Sequence, residues 1–320
     1  MILVVDSGST KTTWAQVGAD NMIVTEGLNP HFTTDEQFLA ACRQVRERLM
    51  THSSTTASRR SPSPNLGEEP DTQEAPVCCS PKLGELSAER LTEECVTIYF
   101  YGAGCGDDRQ RQRVKELLTS FLRPEAVEVD TDMLGACRAV SGDRAGLVGI
   151  LGTGSNACYY DGRRIVCQPV STGFIMGDNG SANHVGRILL NDYLTQRMPE
   201  GLRRLFHEAY PMSDAQLIDA VYHQPHANRF LASLAPFAVR HEEEDYCAEV
   251  IRTALHDWYY GPLTTVIERS GCGDVELHLV GGFAKAIEPT LRRYLADLGL
   301  PVGTILADPM PGMLAYHSEH

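Results

Sequence analysis

The chain has 320 residues, long enough for two domains, and its 42% hydrophobic content can cover a sizeable core. A net charge of −14 opposes non-specific attraction to nucleic acid or to an anionic membrane surface, so neither is an expected partner. An anionic ligand would need donors placed locally.

Short β-prone runs at 2–5, 13–17 and 22–26, separated by turn residues, predict a three-stranded meander. Thr34 and Gln37 then form a capping box, and Phe38, Cys42, Val45 and Leu49 keep one helical face. A strand VTIYFY at 96–101, a helix near 109–122, a strand AVEVD at 126–130 and a helix from 132 follow. GLVGILGTGS at 146–155 starts a second, similar series. NACYYD and RRIVCQ continue it as strands, and helices dominate to about residue 270. VELHLVGGFAKAI, 275–287, returns to strand, glycine pair and helix. The chain therefore reads as two related halves, each opening on a β-turn-β hairpin.

Residues 52–87 break this plan, with ten Ser/Thr and five Pro among 36 residues. Such a stretch cannot offset its ordering entropy by burial and is expected to be a mobile surface insertion. The ten cysteines show no C-x-x-C spacing and read as reduced thiols. The opening MILVVD lacks a basic leader, and no apolar run approaches the roughly 18 residues of a membrane span. A cytoplasmic protein is the expectation.

Three loops carry chemistry. The stretch VVDSGSTKT ends a strand in Asp6 and turns through Ser7, Gly8, Ser9, Thr10 and Lys11 into another strand. This is not a Walker A loop, because the spacing is absent and no helix follows. Its backbone N–H groups can form an anion-binding concavity, and Lys11 adds charge. GTGSN repeats the design with Gly152, Thr153, Gly154 and Ser155. Two such tips, one per half, could grip a chain of phosphates. In LVGGFAKAI, Gly281 and Gly282 lie between a buried strand and a helix, where a flat nucleoside ring could rest on bare backbone. Each loop alone also reads as an ordinary turn.

In this order and at these separations, the three stretches resemble the phosphate-1, phosphate-2 and adenosine motifs of the hexokinase/actin-like ATPase superfamily. GLNPHF (27–32), YGAGCG (101–106), STGFIMGDNGS (171–181) and DPMPGMLAY (308–316) are similar to BadF-type ATPases, most closely their N-acetylglucosamine kinase-like members. The resemblance implies an α/β fold of two ribonuclease-H-like domains of the actin/hexokinase type with an interdomain cleft. The first would hold residues 1–130 and 308–320, the second residues 131–307 with added helices. It also implies ATP with Mg²⁺ in the cleft, Lys285 among the nucleotide contacts, and a final helix crossing back to the first domain. The expected partners are a small-molecule sugar and a second copy of the chain.

Roles follow for single residues. Asp6, at a strand end beside the phosphate loop, suits Mg²⁺ held through water. Asp132 lies where a strand gives way to a helix, like the catalytic aspartate of the sugar kinases it resembles, and is the expected general base. An aspartate there is equally natural as an N-cap. The resemblance places Asn29, His31, Gly102 and Ala103 at the sugar. Gly177 and Asp178 precede a helix, and Asp178 could bind sugar hydroxyls or water around the metal. The related sequences read G-D-E-G here, and Asn179 stands in place of the acid. The expected reaction is phosphoryl transfer from ATP to an amino sugar, N-acetylglucosamine giving its 6-phosphate. The alternative is an ATP-driven activator of a dehydratase or reductase, with an iron–sulfur cluster held between two subunits. Cys105 and Cys272 stand in Gly-rich turns, but neither context resembles the cluster turns of such activators.

Overall fold

The computed structural model describes residues 1–8, 10–57 and 96–320. β1 (Ile2–Ser7) lies inside a sheet with both faces covered, which is why its sequence is nearly all apolar. It pairs antiparallel with β2 (Lys11–Gln16), and β2 pairs with β3 (Met22–Glu26). α1 (Asp35–Ala57) opens on the expected box, Thr34 Oγ1 accepting from the Gln37 amide and Gln37 Oε1 from the Thr34 amide. It continues to Ala57 and so enters the Ser/Thr-rich stretch that starts at residue 52. The rest of the expected insertion lies outside the described residues. β4 (Thr97–Gly102) joins β1 in parallel, α2 (Asp108–Leu122) crosses over, and β5 (Ala126–Thr131) joins β4 in parallel.

α3 (Asp132–Ser141) leads to the second half. β6 (Gly146–Leu151), β7 (Ser155–Tyr160) and β8 (Ile165–Cys167) form its meander. A helical stretch follows: α4 (Gly173–Met176), α5 (Ala182–Leu194), α6 (Glu200–Ala209), α7 (Asp214–Tyr222), α8 (Ala227–Ala232), α9 (Ala235–Arg240) and α10 (Asp245–Trp258). A π-helical turn, Tyr259–Leu263, connects α10 to α11 (Thr264–Ser270). The chain ends with β9 (Leu277–Val280), α12 (Gly282–Ala286), α13 (Glu288–Asp297), β10 (Val302–Leu306) and α14 (Met310–Glu319).

The two sheets have the same topology. The first runs β3-β2-β1-β4-β5 and the second β8-β7-β6-β9-β10, each with an antiparallel meander followed by two parallel additions. The repeat read from the sequence is thus a repeat of fold.

The core has three parts. Trp14, Phe38, Phe100 and Leu118 fill the space between the first sheet and α1 and α2. Phe206, Phe237 and Trp258 centre the second. The third lies between the sheets, where Val4 and Tyr101 of one and Val148 and Tyr160 of the other meet Cys137 of α3 and Met313 of α14. The C-terminal helix therefore packs back on the junction, as expected. Gly312 permits this close approach, since a Cβ there would meet the Ala139 carbonyl at 2.2 Å. With the halves joined along α3 and α14, the C-terminal ends of β1, β6 and β9 carry the three chemistry-bearing loops.

Candidate active site

The first turn is built around a buried hydroxyl pair. Ser7 Oγ and Thr12 Oγ1 lie 2.9 Å apart, and both accept from the Leu28 amide. This ties the chain leaving β3 to the turn. The Gly8 amide donates to the Lys11 carbonyl, and the Gly27 amide to the Thr10 carbonyl. Ser9 lies outside the described residues. Lys11 Nζ pairs with Asp308 at 3.2 Å, immediately ahead of α14.

The second turn rests on the start of α5. The Ala182 amide donates to the Gly152 carbonyl at 2.9 Å, and the Asn183 amide and side chain both donate to the Thr153 carbonyl. Asp178, at φ 54°, accepts from the Ser155 amide at 3.2 Å and from Asn183 Nδ2 at 3.0 Å. Ser155 Oγ donates to the Asn179 carbonyl at 2.6 Å. His184 Nδ1 accepts from the Gly180 amide at 3.1 Å, so the bend at 177–181 is fixed from both sides. With the neighbouring groups tied down, the amides of Thr153 and Gly154 have no partner among the described residues. They remain available to an anion.

The third motif is held against the second. Gly281 donates to the Leu306 carbonyl and adopts φ 135°, a conformation that favours glycine. A Cβ there would meet the Leu151 carbonyl at 2.2 Å, so the ends of β9 and β6 are in backbone contact. Lys285 turns aside to pair with Glu288 at 2.6 Å.

These turns face one cavity of about 360 Å³. Thr10 lines it from the first half, and Gly152, Thr153, Gly282 and Phe283 from the second, with Ala182, Arg229, Ala232 and Ser233 completing the wall. Lys285 is not among its lining residues.

A group of carboxylates stands beside the first turn. Burial, with Asp132 and Asp308 nearby, pushes the Asp6 carboxyl up to about 7 against the opposing pull of Lys11. Asp132 is also raised, chiefly by burial and further by Asp178, while the Met133 amide and its own hold it down. Asp178 is raised by burial and opposed by its bonds to Ser155 and Asn183. Acids brought together in a poorly solvated place favour a bound cation. Among the described residues no group of three or more His, Cys, Asp or Glu side chains is arranged to hold a metal ion. Mg²⁺ would have to draw most of its ligands from water and substrate phosphates.

The N-cap of α3 is Thr131, whose hydroxyl accepts from the Leu134 amide, while Asp132 Oδ1 accepts from the Met133 amide at 2.9 Å. Next to it, Gly102 pairs in register with Thr131, and the Ala103 amide donates to the Ser7 carbonyl at 2.8 Å. Asn29 Oδ1 accepts from the His31 amide, and both residues lie against the backbone of Gly104. Asn29, His31, Gly102 and Ala103 are therefore brought to one face of the first half.

Residues 3–313 match a known family. The chain belongs to the BadF/BadG/BcrA/BcrD ATPase family. A provisionally assigned N-acetylglucosamine kinase from Porphyromonas gingivalis is 32% identical to this ATPase, with a TM-score of 0.80 over 100% of this chain and 99% of that one. A second protein with the same provisional assignment, from Chromobacterium violaceum, is 17% identical with a TM-score of 0.62 over 98% of each chain. A ROK family glucokinase from Streptomyces griseus, solved with glucose and AMPPNP, shares the fold at 14% identity and a TM-score of 0.50, over 99% of this chain and 98% of that one. No curated protein matches. The fold is the two-domain, actin- and hexokinase-like ATPase fold.

Three residues of the candidate site carry no local signal of their placement there. Asp308 stands in a quoted motif, but its pairing with Lys11 spans 297 positions. His184 looks like any polar residue of α5. Arg229 lies in a helical stretch with nothing around it to suggest a cavity. Cys105 is buried in the first half, and Cys272 precedes β9, at the end of that strand away from Gly281. Among the described residues no helix is long and apolar enough to cross a membrane.

Proposed function

We propose that the protein is an ATP-dependent sugar kinase whose acceptor is an amino sugar, with N-acetylglucosamine converted to N-acetylglucosamine 6-phosphate. The observation that carries this reading is the shared cavity: the phosphate-type turns of both halves line one space, Thr10 from the first and Gly152, Thr153 and Gly282 from the second. The similarity to provisionally assigned N-acetylglucosamine kinases supports the acceptor. Residues 1–130 with 308–320 form the first domain and 131–307 the second, and free cysteines suit a reducing cytoplasm.

In this reading the free amides of Thr153 and Gly154, with the turn at Ser7–Lys11, hold the phosphates, and Gly281–Gly282 receives the nucleoside. Phosphoryl transfer depends mainly on alignment and charge neutralisation. Asp6, with Asp308 beside it, would hold Mg²⁺, which when bound would neutralise charge on the phosphates. Asn29, His31, Gly102, Ala103, Gly177 and Asp178 position the sugar. Asp132 takes the proton of the attacking hydroxyl as its oxygen bonds to the γ-phosphorus and the bond to the β–γ bridging oxygen breaks, releasing ADP. A carboxyl whose affinity for protons is raised by burial is suited to that task.

The test is ADP release from Mg-ATP across a panel of amino sugars and hexoses. N-acetylglucosamine should give the highest kcat/KM. No release with any sugar would sink the kinase reading, and a preference for glucose would sink the proposed acceptor.

A further inference from the structure

We infer that Arg229 is a phosphate-binding residue of the nucleotide cavity. The inference rests on the kinase reading above and adds to it a residue that none of the three sequence motifs contains. Arg229 belongs to α8, which is seated directly on α5: a Cβ at Gly186 would meet the Leu231 carbonyl at 1.8 Å, so the two backbones touch and α8 has little freedom to shift. From there Arg229 lines the same cavity as Thr153 and Gly282.

Its Nε is sealed from solvent and has no acceptor among the described residues. Nor does Arg229 form an ion pair among them. A buried donor without an acceptor is costly, and more so on a charged group. In a chain with a net charge of −14, a cation left unpaired is poised for an anion from outside. Lys11, the cation on the other side, is already engaged with Asp308.

Charge also selects the kind of partner. An anionic phosphate matches the unpaired guanidinium at the cavity wall, which a neutral adenine does not. Arg229 therefore meets the polyphosphate rather than the adenine face.

Binding of ADP, tripolyphosphate and adenosine to the full chain, by calorimetry and ligand-observed NMR, tests this. Arg229→Ala should weaken ADP and tripolyphosphate by about tenfold or more, as loss of a charge-assisted hydrogen bond implies, and leave adenosine unchanged. Arg229→Lys, which keeps the charge and most of the stem, should recover part of the loss and serves if the alanine variant does not fold. Unchanged ADP affinity in both variants would overturn the proposal, as would an equal weakening of adenosine. Failure of the unaltered protein to bind any nucleotide would instead overturn the kinase reading, and this proposal with it.

Discussion

The Tyr101 hydroxyl lies 2.7 Å from Nε2 of His317, joining β4 to the C-terminal helix. Arg138 of α3 donates to the same hydroxyl oxygen. A guanidinium can only donate, so the hydroxyl oxygen accepts from Arg138, and burial beside that cation keeps the His317 ring neutral, its tautomer setting which of the hydroxyl and Nε2 donates. Tyr99 stacks on that ring at 3.9 Å between centroids. Three elements that connect the two sheets thus meet at one unprotonated imidazole.

A pH dependence of stability follows. Burial, then Arg138 and His320, push His317 down to about 4 from its ordinary 6.5. Tyr99, Tyr101 and Tyr316 are the other groups packed beside it. At high pH the ring is neutral whether the chain is folded or not, and its contribution is complete. As pH falls through 6.5 towards 4, the unfolded chain takes a proton that the folded chain refuses, and stability is lost. Between pH 8 and pH 5.5 this residue should account for about 1.4 kcal/mol. His184, also held near 4 by burial, adds a separate loss in the same window. Denaturant titrations at the two pH values should show a smaller loss in His317→Gln. Equal losses in the two proteins would remove His317 as a cause.

Removal of the proposed base gives a sharper outcome. Because Thr131 caps α3, Asp132→Asn should leave the helix and nucleotide affinity intact while lowering kcat by about 10²- to 10⁴-fold. Turnover near that of the unaltered protein would take the proton-accepting role away from Asp132.

The sheets, their repeat and the capping box of α1 are legible in the sequence because each depends on neighbours in the chain. Apolar runs such as LVGIL stop at glycine turns, and the period of side chains changes where helices begin. α1 passing into the Ser/Thr-rich stretch was less legible, since composition measures what a segment can bury and not where a helix stops. At 131–132, Thr and Asp are both good caps, and only the structure assigns the cap to Thr131. Asp308, His184 and Arg229 could not be placed from local pattern, as each acts on residues from a different element. Lys285 shows the converse: its position in a motif suggested a nucleotide contact, while the nearby Glu288 supplies it with a partner.

Arg113 of α2 fastens the loop that carries Asn29 and His31. Its guanidinium donates to the Pro30 carbonyl at 2.6 Å, to the Thr33 carbonyl at 2.8 Å, and to Asp35 at 2.6 and 2.9 Å. The pair with Asp35 is partly exposed and contributes little by itself. The two carbonyl bonds set the path of the loop. Arg113→Ala should raise the KM for the sugar by about tenfold, at roughly 1 kcal/mol for each bond lost, with the KM for ATP unmoved. If both KM values rose together, or neither did, the loop would not be the sugar contact.

Gly281 and Gly282 are adjacent but should fail in different ways. Alanine at 281 must adopt φ 135° and place its Cβ 2.2 Å from the Leu151 carbonyl and 2.9 Å from the Gly152 amide. The combination of backbone strain and overpacking should cost about 2–5 kcal/mol and separate the ends of β9 and β6. At 282 a Cβ meets nothing within 4 Å, and the residue begins α12, where alanine is the better helix former. Gly282→Ala should therefore leave the melting temperature unchanged or slightly raised. Gly282 nonetheless lines the cavity, so the added methyl should stand where the nucleoside lies and weaken ADP binding. If Gly282→Ala bound ADP as tightly as the unaltered chain, the nucleoside would rest elsewhere in the cavity. A Gly281→Ala protein of full stability would mean that the close approach of residue 281 to the Leu151 carbonyl relaxes without cost.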